Sequence, residues 1–394
     1  MRRYRILNRF HIRGVMLDRI LSSSDAPELL SPFPPTRYAF AYGSAALPQA
    51  VKSASKDSML DLILAVDEPA AWHAENIRRN TTHYAWLARL GGAAAIARVQ
   101  ESRFGARLWY NALVTLPGGR LVKYGVITAD ALAVDALEWS HLYSAGRHHK
   151  PVAVLQAAPA PLAAALDYNR RAALRVALLL LPANFTVREL FTTLTAISYG
   201  GDWRMTFGEC PSKITDIVDG APEAFAAVYA PLLAHSDFAR AVRVKGSLAD
   251  LKAACVQNAD LRARVTMGQS LPLSVQRGAA ARALLAEEDG PIFDKLGDNQ
   301  HEREEEKNDI HAIEMQVRTR ASEVPCLRAL WSAVALRGDP TLLPNLLRPT
   351  LSAIVAPAAK GQAIVGVLTA GPEKAAVYAA AKLRKFFTAV RRVR

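Results

Sequence analysis

A short apolar run that ends in Gly-Ser, followed by a second apolar run with a carboxylate near its start, most constrains what this chain can fold into. The first run is Tyr38–Tyr42 and leads directly into Gly43 and Ser44, and the second, Met59–Val66, contains Asp61. Glycine allows the backbone to approach a phosphate closely, and the N–H groups at a helix N-terminus face an anion. The pattern therefore predicts an α/β fold with a phosphate-binding turn. An ordinary turn beside a charged strand end would give the same residue pattern.

Several longer blocks follow in a fixed order and make this pattern specific. They are residues 72–76, 109–111, 122–127, 142–152, 198–205 and 351–355. Together with the first two runs, they make the chain resemble the mitochondrial translocator assembly and maintenance family, the peripheral mitochondrial CDP-diacylglycerol synthases. The resemblance extends from about residue 33 to about residue 385 and is interrupted by one insertion.

The resemblance implies a fold, an activity and a location. The fold is an α/β nucleotidyltransferase-fold domain with a mixed sheet, followed by a mainly helical, winged-helix-like domain and a C-terminal amphipathic helix. The activity is that of a CTP:phosphatidate cytidylyltransferase, which makes CDP-diacylglycerol and pyrophosphate from CTP and phosphatidic acid for cardiolipin and phospholipid synthesis. The implied cofactor is Mg²⁺, and the implied location is peripheral, on the matrix side of the mitochondrial inner membrane.

Length and charge agree with this interpretation but do not select it. At 394 residues the chain exceeds the usual size of a single core, so two domains are expected. The net charge is +13, and because residues 287–314 alone carry a local −8, the remainder carries +21. Such a surface favours a polyanionic partner, whether nucleic acid, anionic lipid or nucleotide.

The chain divides into four parts. Residues 1–25 are rich in arginine and predict a mitochondrial transit segment, although a basic helix retained in the fold fits equally well. Residues 26–158 alternate between strand and helix patterns and form the predicted catalytic domain. Residues 159–345 are the helical, winged-helix-like domain, with a charged, solvated insertion at 286–322. Residues 346–394 form the C-terminal segment.

Local patterns predict individual elements. Residues 107–114 and 120–127 flank Pro-Gly-Gly and predict a β-hairpin. Apolar spacing predicts a helix over 130–143, and residues 169–181 predict a buried helix. The sequence Thr-Val-Arg-Glu at 186–189 predicts a capping box for the next helix.

Asp61 is the first candidate catalytic residue and metal ligand. Asp67 has the same strand parity, but six residues of extended strand span roughly 20 Å, whereas two catalytic metals lie about 4 Å apart. Asp67 is therefore expected to leave the strand and cap the following helix. Many nucleotidyltransferases place a second acid two residues before the first, where this chain has Met59. We expect the second ligand to be Asp202, with Glu209 as its substitute.

The phosphate-binding candidates come from three places. Gly43 and Ser44 match the family's phosphate-binding turn, although Ala45 departs from the family pattern directly after it. Lys123 alternates with apolar neighbours along its strand, so it faces away from Val122 and Tyr124. A solvated lysine would do the same, but its position in the 122–127 block favours a catalytic contact with phosphate.

A basic loop offers a second anion site. Arg147 and Lys150 are expected to hold a lipid headgroup phosphate, and Arg204, beside Asp202, is grouped with them. His148 and His149 lie between the two bases and are expected at the surface.

The nucleotide candidates share a helix face. His73, Asn76 and Asn80 are spaced at i, i+3 and i+7 and, with His83, are expected to contact base or ribose. A purely structural polar role fits the same spacing. Tyr110, in the Trp-Tyr-Asn block, completes the nucleotide-binding set.

The C-terminal residues predict a membrane-binding helix. Between Lys382 and Arg394, the apolar side chains share one helix face, and six Lys and Arg side chains flank that face. Such a helix suits an anionic membrane surface, although a helix docked on the protein has the same pattern. The membrane-contacting residues are Leu383, Phe386, Phe387 and Val390.

Two other functions remain open from the residues. The turn and acid also suit a nucleotidyltransferase acting on RNA, which would carry aromatic stacking platforms on a basic surface. The family's name also allows a non-catalytic assembly factor for mitochondrial protein import. We expect the lipid activity rather than a nucleic-acid partner.

Overall fold

The computed structural model describes residues 25–47, 59–207, 212–258, 260–285 and 341–370, together with Leu327 and Trp331. The predicted transit segment apart from its last residue, the charged insertion, Glu209 and the predicted membrane helix lie outside the described residues.

A five-stranded mixed sheet forms the first part of the protein. Its strands are β1 (Tyr38–Tyr42), β2 (Leu60–Val66), β3 (Trp109–Thr115), β4 (Leu121–Thr128) and β5 (Ala153–Gln156), in the order β3-β4-β2-β1-β5. β2 and β4 are parallel, while the other neighbouring pairs are antiparallel. β3 and β4 confirm the predicted hairpin, and the mixed sheet agrees with a nucleotidyltransferase-like fold.

Four helices accompany this sheet: α1 (Ala26–Leu30), α2 (Pro69–Arg79), α3 (Trp86–Glu101) and α4 (Ala129–Glu138). α4 is shorter than predicted, because Trp139 adopts a left-handed conformation with a φ of 54° and ends it. The capping role predicted for Asp67 is wrong. Its carboxylate forms an exposed ion pair with Arg37 (Nε to Oδ2, 2.8 Å), and Glu68 occupies the N-cap position of α2.

The second part is mainly helical, as predicted, and contains a small antiparallel sheet. Its helices are α5 (Ala160–Leu180), α6 (Val187–Ile197), α7 (Arg204–Phe207), α8 (Lys213–Gly220), α9 (Pro222–Leu233), α10 (Ser236–Ala239), α11 (Leu261–Gln269), α12 (Leu273–Leu285) and α13 (Leu342–Ala370). Its strands are β6 (Asn184–Thr186), β7 (Val242–Lys245) and β8 (Ala254–Gln257), in the order β6-β8-β7. The capping box at Thr186 and Glu189 is confirmed. A winged-helix arrangement stays a prediction.

The two parts share one hydrophobic core. Alternate residues of the mixed sheet, such as Phe40 and Ile63, pack in a cluster that continues through α4 and α5 into the second part and reaches α13. The opposite face of the sheet buries a separate, smaller cluster around Leu62 and Tyr124. Among the helices of the described residues, none is both long enough and apolar enough to cross a membrane.

A buried polar cluster lies between α2, α3 and the sheet. His73 shares hydrogen bonds with the Tyr84 hydroxyl (Nδ1, 2.8 Å) and Gln100 Oε1 (Nε2, 2.8 Å). Asn76 donates to the hydroxyls of Tyr84 (2.9 Å) and Tyr124 (2.8 Å). Burial lowers the pKa of His73 to about 4, although the bond to Gln100 opposes this.

A buried carboxylate shapes the loop that follows α4. Asp135 is 4% exposed and accepts four backbone N–H groups. Oδ1 accepts from His141 (2.9 Å) and Leu142 (2.8 Å), and Oδ2 accepts from Ser144 (3.1 Å) and Ala145 (2.9 Å). Residues 141–145 are therefore wrapped around one side chain, which fixes the chain leading to Arg147.

Asp135→Asn should lower the free energy of unfolding by about 3 kcal/mol, because the amide cannot accept at one of its two ends and removes charge-assisted bonds. Asp130→Asn is the matched control, since Asp130 is exposed in the first turn of the same helix and loses only about 0.5 kcal/mol of helix-dipole interaction. Urea denaturation of both variants measures the difference. Equal small losses would show that the loop holds its shape without the carboxylate.

His73 should make folding stability depend on pH. Its folded pKa is about 4 and its unfolded value is about 6.5, so the unfolded chain binds more protons and stability falls as the pH falls from 6.5 towards 4. Between pH 7.5 and pH 5 this loss is about 2 kcal/mol. His73→Gln should remove that part of the slope, measured by urea denaturation at each pH. Identical slopes for the two proteins would mean that the imidazole titrates normally in the folded state.

Candidate active site

A cavity of about 190 Å³ lies where the mixed sheet faces the second part. The sheet side contributes Gly43, Asp61 and Lys123, and the loop after α4 contributes Tyr143, Arg147 and Lys150. The second part contributes polar side chains from residues 198–213 and apolar side chains from α8, α9 and α13. The cavity therefore combines charged side chains from both parts of the chain with an apolar wall from α8, α9 and α13.

Strand pairing places the residues of the sheet side. Asp61 is the parallel partner of Lys123 and the antiparallel partner of Tyr42. Gly43 follows with a φ of 80°, a left-handed conformation that favours glycine, and a Cβ added there would lie 3.4 Å from Asp61 Oδ2. Ser44 continues the turn, and the N–H groups of Ala46 and Leu47 donate to the Gly43 carbonyl (3.1 and 3.0 Å).

Tyr110 lies behind this wall and does not line the cavity. Lys123 places its Nζ 4.2 Å from the centroid of the Tyr110 ring. The Tyr110 hydroxyl lies 3.1 Å from the hydroxyl of Tyr42 and accepts from Arg147 Nη2 (2.9 Å). Tyr110 thus supports three cavity residues from behind, and its predicted contact with the nucleotide stays a prediction.

Two tyrosines hold Arg147 at the cavity wall. Its guanidinium carbon lies 4.7 Å from the ring centroid of Tyr42 and 4.3 Å from that of Tyr143. Burial raises the pKa of the Tyr143 hydroxyl, but Arg204, Arg147 and Lys123 together outweigh it and lower that pKa to about 8. Neither tyrosine was among the site residues predicted from the sequence.

Asp202 and Arg204 line the cavity as an ion pair. Arg204 Nε donates to both carboxylate oxygens (2.9 and 3.1 Å), and Nη2 donates to Oδ2 (2.6 Å). Burial raises the pKa of Asp202, but the hydrogen bonds from Arg204 outweigh it and lower it. The two residues predicted for metal and for phosphate are therefore bound to each other.

Metal ligation is left to few groups. Asp61 and Asp202 are the two carboxylates that line the cavity within the described part of the chain. The same part contains no group of three or more His, Cys, Asp or Glu side chains arranged to hold a metal ion. A metal held by the described residues of this cavity would therefore bind Asp61 or Asp202 and would need further ligands.

The expectation that His148 and His149 lie at the surface is wrong. They are 1% and 0% exposed, and their Nε2 atoms contact the Tyr38 hydroxyl (3.1 Å) and Asn169 Oδ1 (3.0 Å). Burial lowers the pKa of both, that of His149 to about 3. A charged run predicts a surface loop, but the 3₁₀ turn at Ala145–Arg147 directs the two imidazoles inward.

The helix-face residues predicted to contact the nucleotide do not line the cavity. His73 and Asn76 are fully buried in the polar cluster described above. Asn80 donates to the carbonyl of Pro32 (2.8 Å) and to Asn76 Oδ1 (2.8 Å). His83 is 8% exposed and contacts the Tyr124 hydroxyl. Their polar atoms thus form hydrogen bonds within the protein, as expected for the purely structural role that was the alternative to nucleotide binding.

Ser198, Tyr199 and Lys213 are cavity residues that sequence reasoning missed. The first two begin the 198–205 block, which was the available signal. Lys213 had no local signal, because only the tertiary fold brings α8 to the cavity.

The chain is similar in sequence to known proteins over most of its length. Residues 27–385 match the family model described as mitochondrial phosphatidate cytidylyltransferase. A Bos taurus protein of that name is 34% identical over 376 residues, which cover 95% of each chain. A Mus musculus protein of the same name is 34% identical over 383 residues and 97% of each chain. A Drosophila melanogaster protein of that name is 44% identical over 192 residues, or 48% of this chain and 56% of its own.

The family model covers most of the chain, including every described residue that lines the cavity. The resemblance seen in the sequence blocks is therefore confirmed. The chain belongs to the mitochondrial phosphatidate cytidylyltransferase family.

Proposed function

We propose that this chain is a CTP:phosphatidate cytidylyltransferase that makes CDP-diacylglycerol and pyrophosphate. The main support for this proposal is that one cavity contains Gly43, Asp61 and several Lys and Arg side chains together with an apolar wall from α8, α9 and α13. A nucleoside triphosphate needs the charged residues, and a lipid acceptor needs the apolar wall.

The reaction needs positioning and charge neutralisation more than a strong base. A phosphate oxygen of phosphatidate attacks the α-phosphorus of CTP, a new P–O bond forms, and the bond to pyrophosphate breaks. Both reactants are anionic, so positively charged side chains around the reacting phosphorus lower the activation barrier. The candidates on the cavity wall are Lys123, Arg147, Lys150, Arg204 and Lys213.

Mg²⁺ fits this site when the substrate supplies most of its ligands. Mg²⁺ is commonly held by one or two carboxylates together with waters and substrate phosphates. Asp61 would hold it, and Asp202 would join only by releasing Arg204. The ion would neutralise charge on the reacting phosphate groups.

The apolar wall favours a lipid acceptor over RNA. RNA would call for aromatic platforms on which nucleobases stack. The tyrosine rings that line this cavity instead contact the cationic side chains of Arg147, Lys150 and Lys213. Its apolar wall presents Ile217, Val355 and Ala359. In a non-catalytic import assembly factor, Asp61 would be dispensable.

We also propose that the protein works at the matrix face of the mitochondrial inner membrane and supplies cardiolipin synthesis. The relatives named above are mitochondrial by name, and the proposed acceptor resides in a bilayer. The predicted helix at 382–394 would provide contact with the anionic surface.

Asp61→Asn should lower kcat by at least about a thousandfold, because the carboxylate that would hold the metal is lost. Asp67→Asn is the matched control from the residue directly after the same strand, where the side chain forms an exposed pair with Arg37. The assay contains purified protein, CTP, Mg²⁺ and phosphatidate in mixed micelles and follows CDP-lipid and pyrophosphate.

The melting temperature of Asp61→Asn should stay near that of the wild type, since the change removes no core volume. Full activity in Asp61→Asn would contradict the proposed role of this residue. Equal loss in both variants would contradict the separation of the two carboxylates along β2.

Asp202→Asn should lower kcat/KM about tenfold or more, while the Mg²⁺ concentration for half-maximal rate changes less than twofold. The reason is the bidentate pair, since the amide would no longer orient Arg204. A Mg²⁺ titration of the variant measures both effects. A large increase in the Mg²⁺ requirement would instead support Asp202 as the second metal ligand.

A further inference from the structure

We infer that Lys150 and Lys213, arranged around the ring of Tyr199, form the subsite for the acceptor's phosphomonoester, and that the apolar wall beside them holds its glyceride backbone and first acyl carbons. This inference rests on the proposed function and assigns the acceptor to one side of the cavity. It also separates Lys150 from Arg147, which the sequence pattern had grouped as one anion site.

Both ammonium groups are held against the same aromatic ring. Lys150 Nζ lies 5.0 Å and Lys213 Nζ 5.3 Å from the Tyr199 centroid. Lys150 Nζ also donates to the Gly146 carbonyl (2.6 Å) and to Ser198 Oγ (2.7 Å). An ammonium has three N–H groups, so a ligand oxygen can occupy the third position.

A close backbone contact positions Lys150. A Cβ added to Gly146 would lie 2.4 Å from Ser198 Cβ, so glycine is required where the loop meets the end of α6. This contact brings Lys150 within reach of Ser198, on the side of the loop that faces the second part. Arg147 lies between Tyr42 and Tyr143 on the side that faces the sheet.

Electrostatics favours an anion between the two lysines. Burial, together with the positive charges of Arg147 and Lys213, lowers the pKa of Lys150 to about 7. A bound phosphate would relieve this repulsion. A phosphomonoester carries between one and two negative charges at neutral pH, whereas a phosphodiester carries one, so two ammonium groups suit the monoester better.

The apolar wall continues directly from Lys213. Ile217 is four residues further along α8, so the two side chains share a helix face. Ala221 and Phe225 form the same i, i+4 pair at α9, as Val355 and Ala359 do on α13, and all four line the cavity. A ligand with a phosphate at Lys213 would therefore place its apolar part against three helices.

Equilibrium binding without turnover tests the subsite. Calorimetry with dihexanoyl phosphatidate and separately with CTP compares the wild type with Lys213→Gln, Lys213→Arg and the control Lys252→Gln, an exposed lysine near β8. Lys213→Gln should weaken phosphatidate binding at least tenfold and CTP binding less than twofold. Lys213→Arg should recover most of the affinity, and Lys252→Gln should match the wild type.

Two further ligands identify the source of the phosphate. Dihexanoyl phosphatidylglycerol has the same chains on a diester and should bind at least tenfold more weakly than phosphatidate. Glycerol 3-phosphate has the monoester without chains, and Ile217→Gln should weaken phosphatidate binding but leave glycerol 3-phosphate binding unchanged.

Equal loss of CTP and phosphatidate binding in Lys213→Gln would assign the lysines to the nucleotide and overturn the inference, as would unchanged binding of both. These outcomes are distinct from failure of the proposed function. A wild type that binds phosphatidate as described but makes no CDP-lipid would overturn the activity and leave the subsite standing.

Discussion

The parallel pairing of β2 with β4 is the interaction on which the candidate site depends. It places Asp61 directly beside Lys123, and the antiparallel pairing with β1 places Tyr42 on the other side of Asp61. All three side chains alternate onto the sheet face that meets the second part. A slip of one residue would move them to the opposite face, where Leu62 and Tyr124 are buried in the smaller cluster.

The second part of the chain supplies one of the two walls of this site. One hydrophobic core runs from the sheet through α5 to α13, so the two walls of the cavity are held by the same packing. The amide of Gln362 on α13 donates to the carbonyl of Leu108 (2.7 Å) just before β3, and also to that of Gly105. This bond ties α13, and with it Val355 and Ala359, to the sheet.

Local pattern predicted the local structure well. The hairpin, the capping box at Thr186 and the continuous strand through Asp61 depend on neighbouring residues and were confirmed. The site was predicted less completely, because Tyr143 and Lys213 reach the cavity only through tertiary packing. The burial of polar residues was predicted least well. His73 was expected to contact a nucleotide and His148 to lie at the surface, yet both are buried and hydrogen-bonded within the protein.

The way in which the cavity positions its Lys and Arg side chains suits a site for two anionic substrates. A salt bridge with Asp202 positions Arg204. Tyrosine rings lie against Lys123, Arg147, Lys150 and Lys213. A cation–π contact contributes about 0.5–2 kcal/mol to the placement of a cation. The rings of Tyr42, Tyr110, Tyr143 and Tyr199 thus help to fix the cationic side chains of the cavity where two phosphate-bearing substrates would need them.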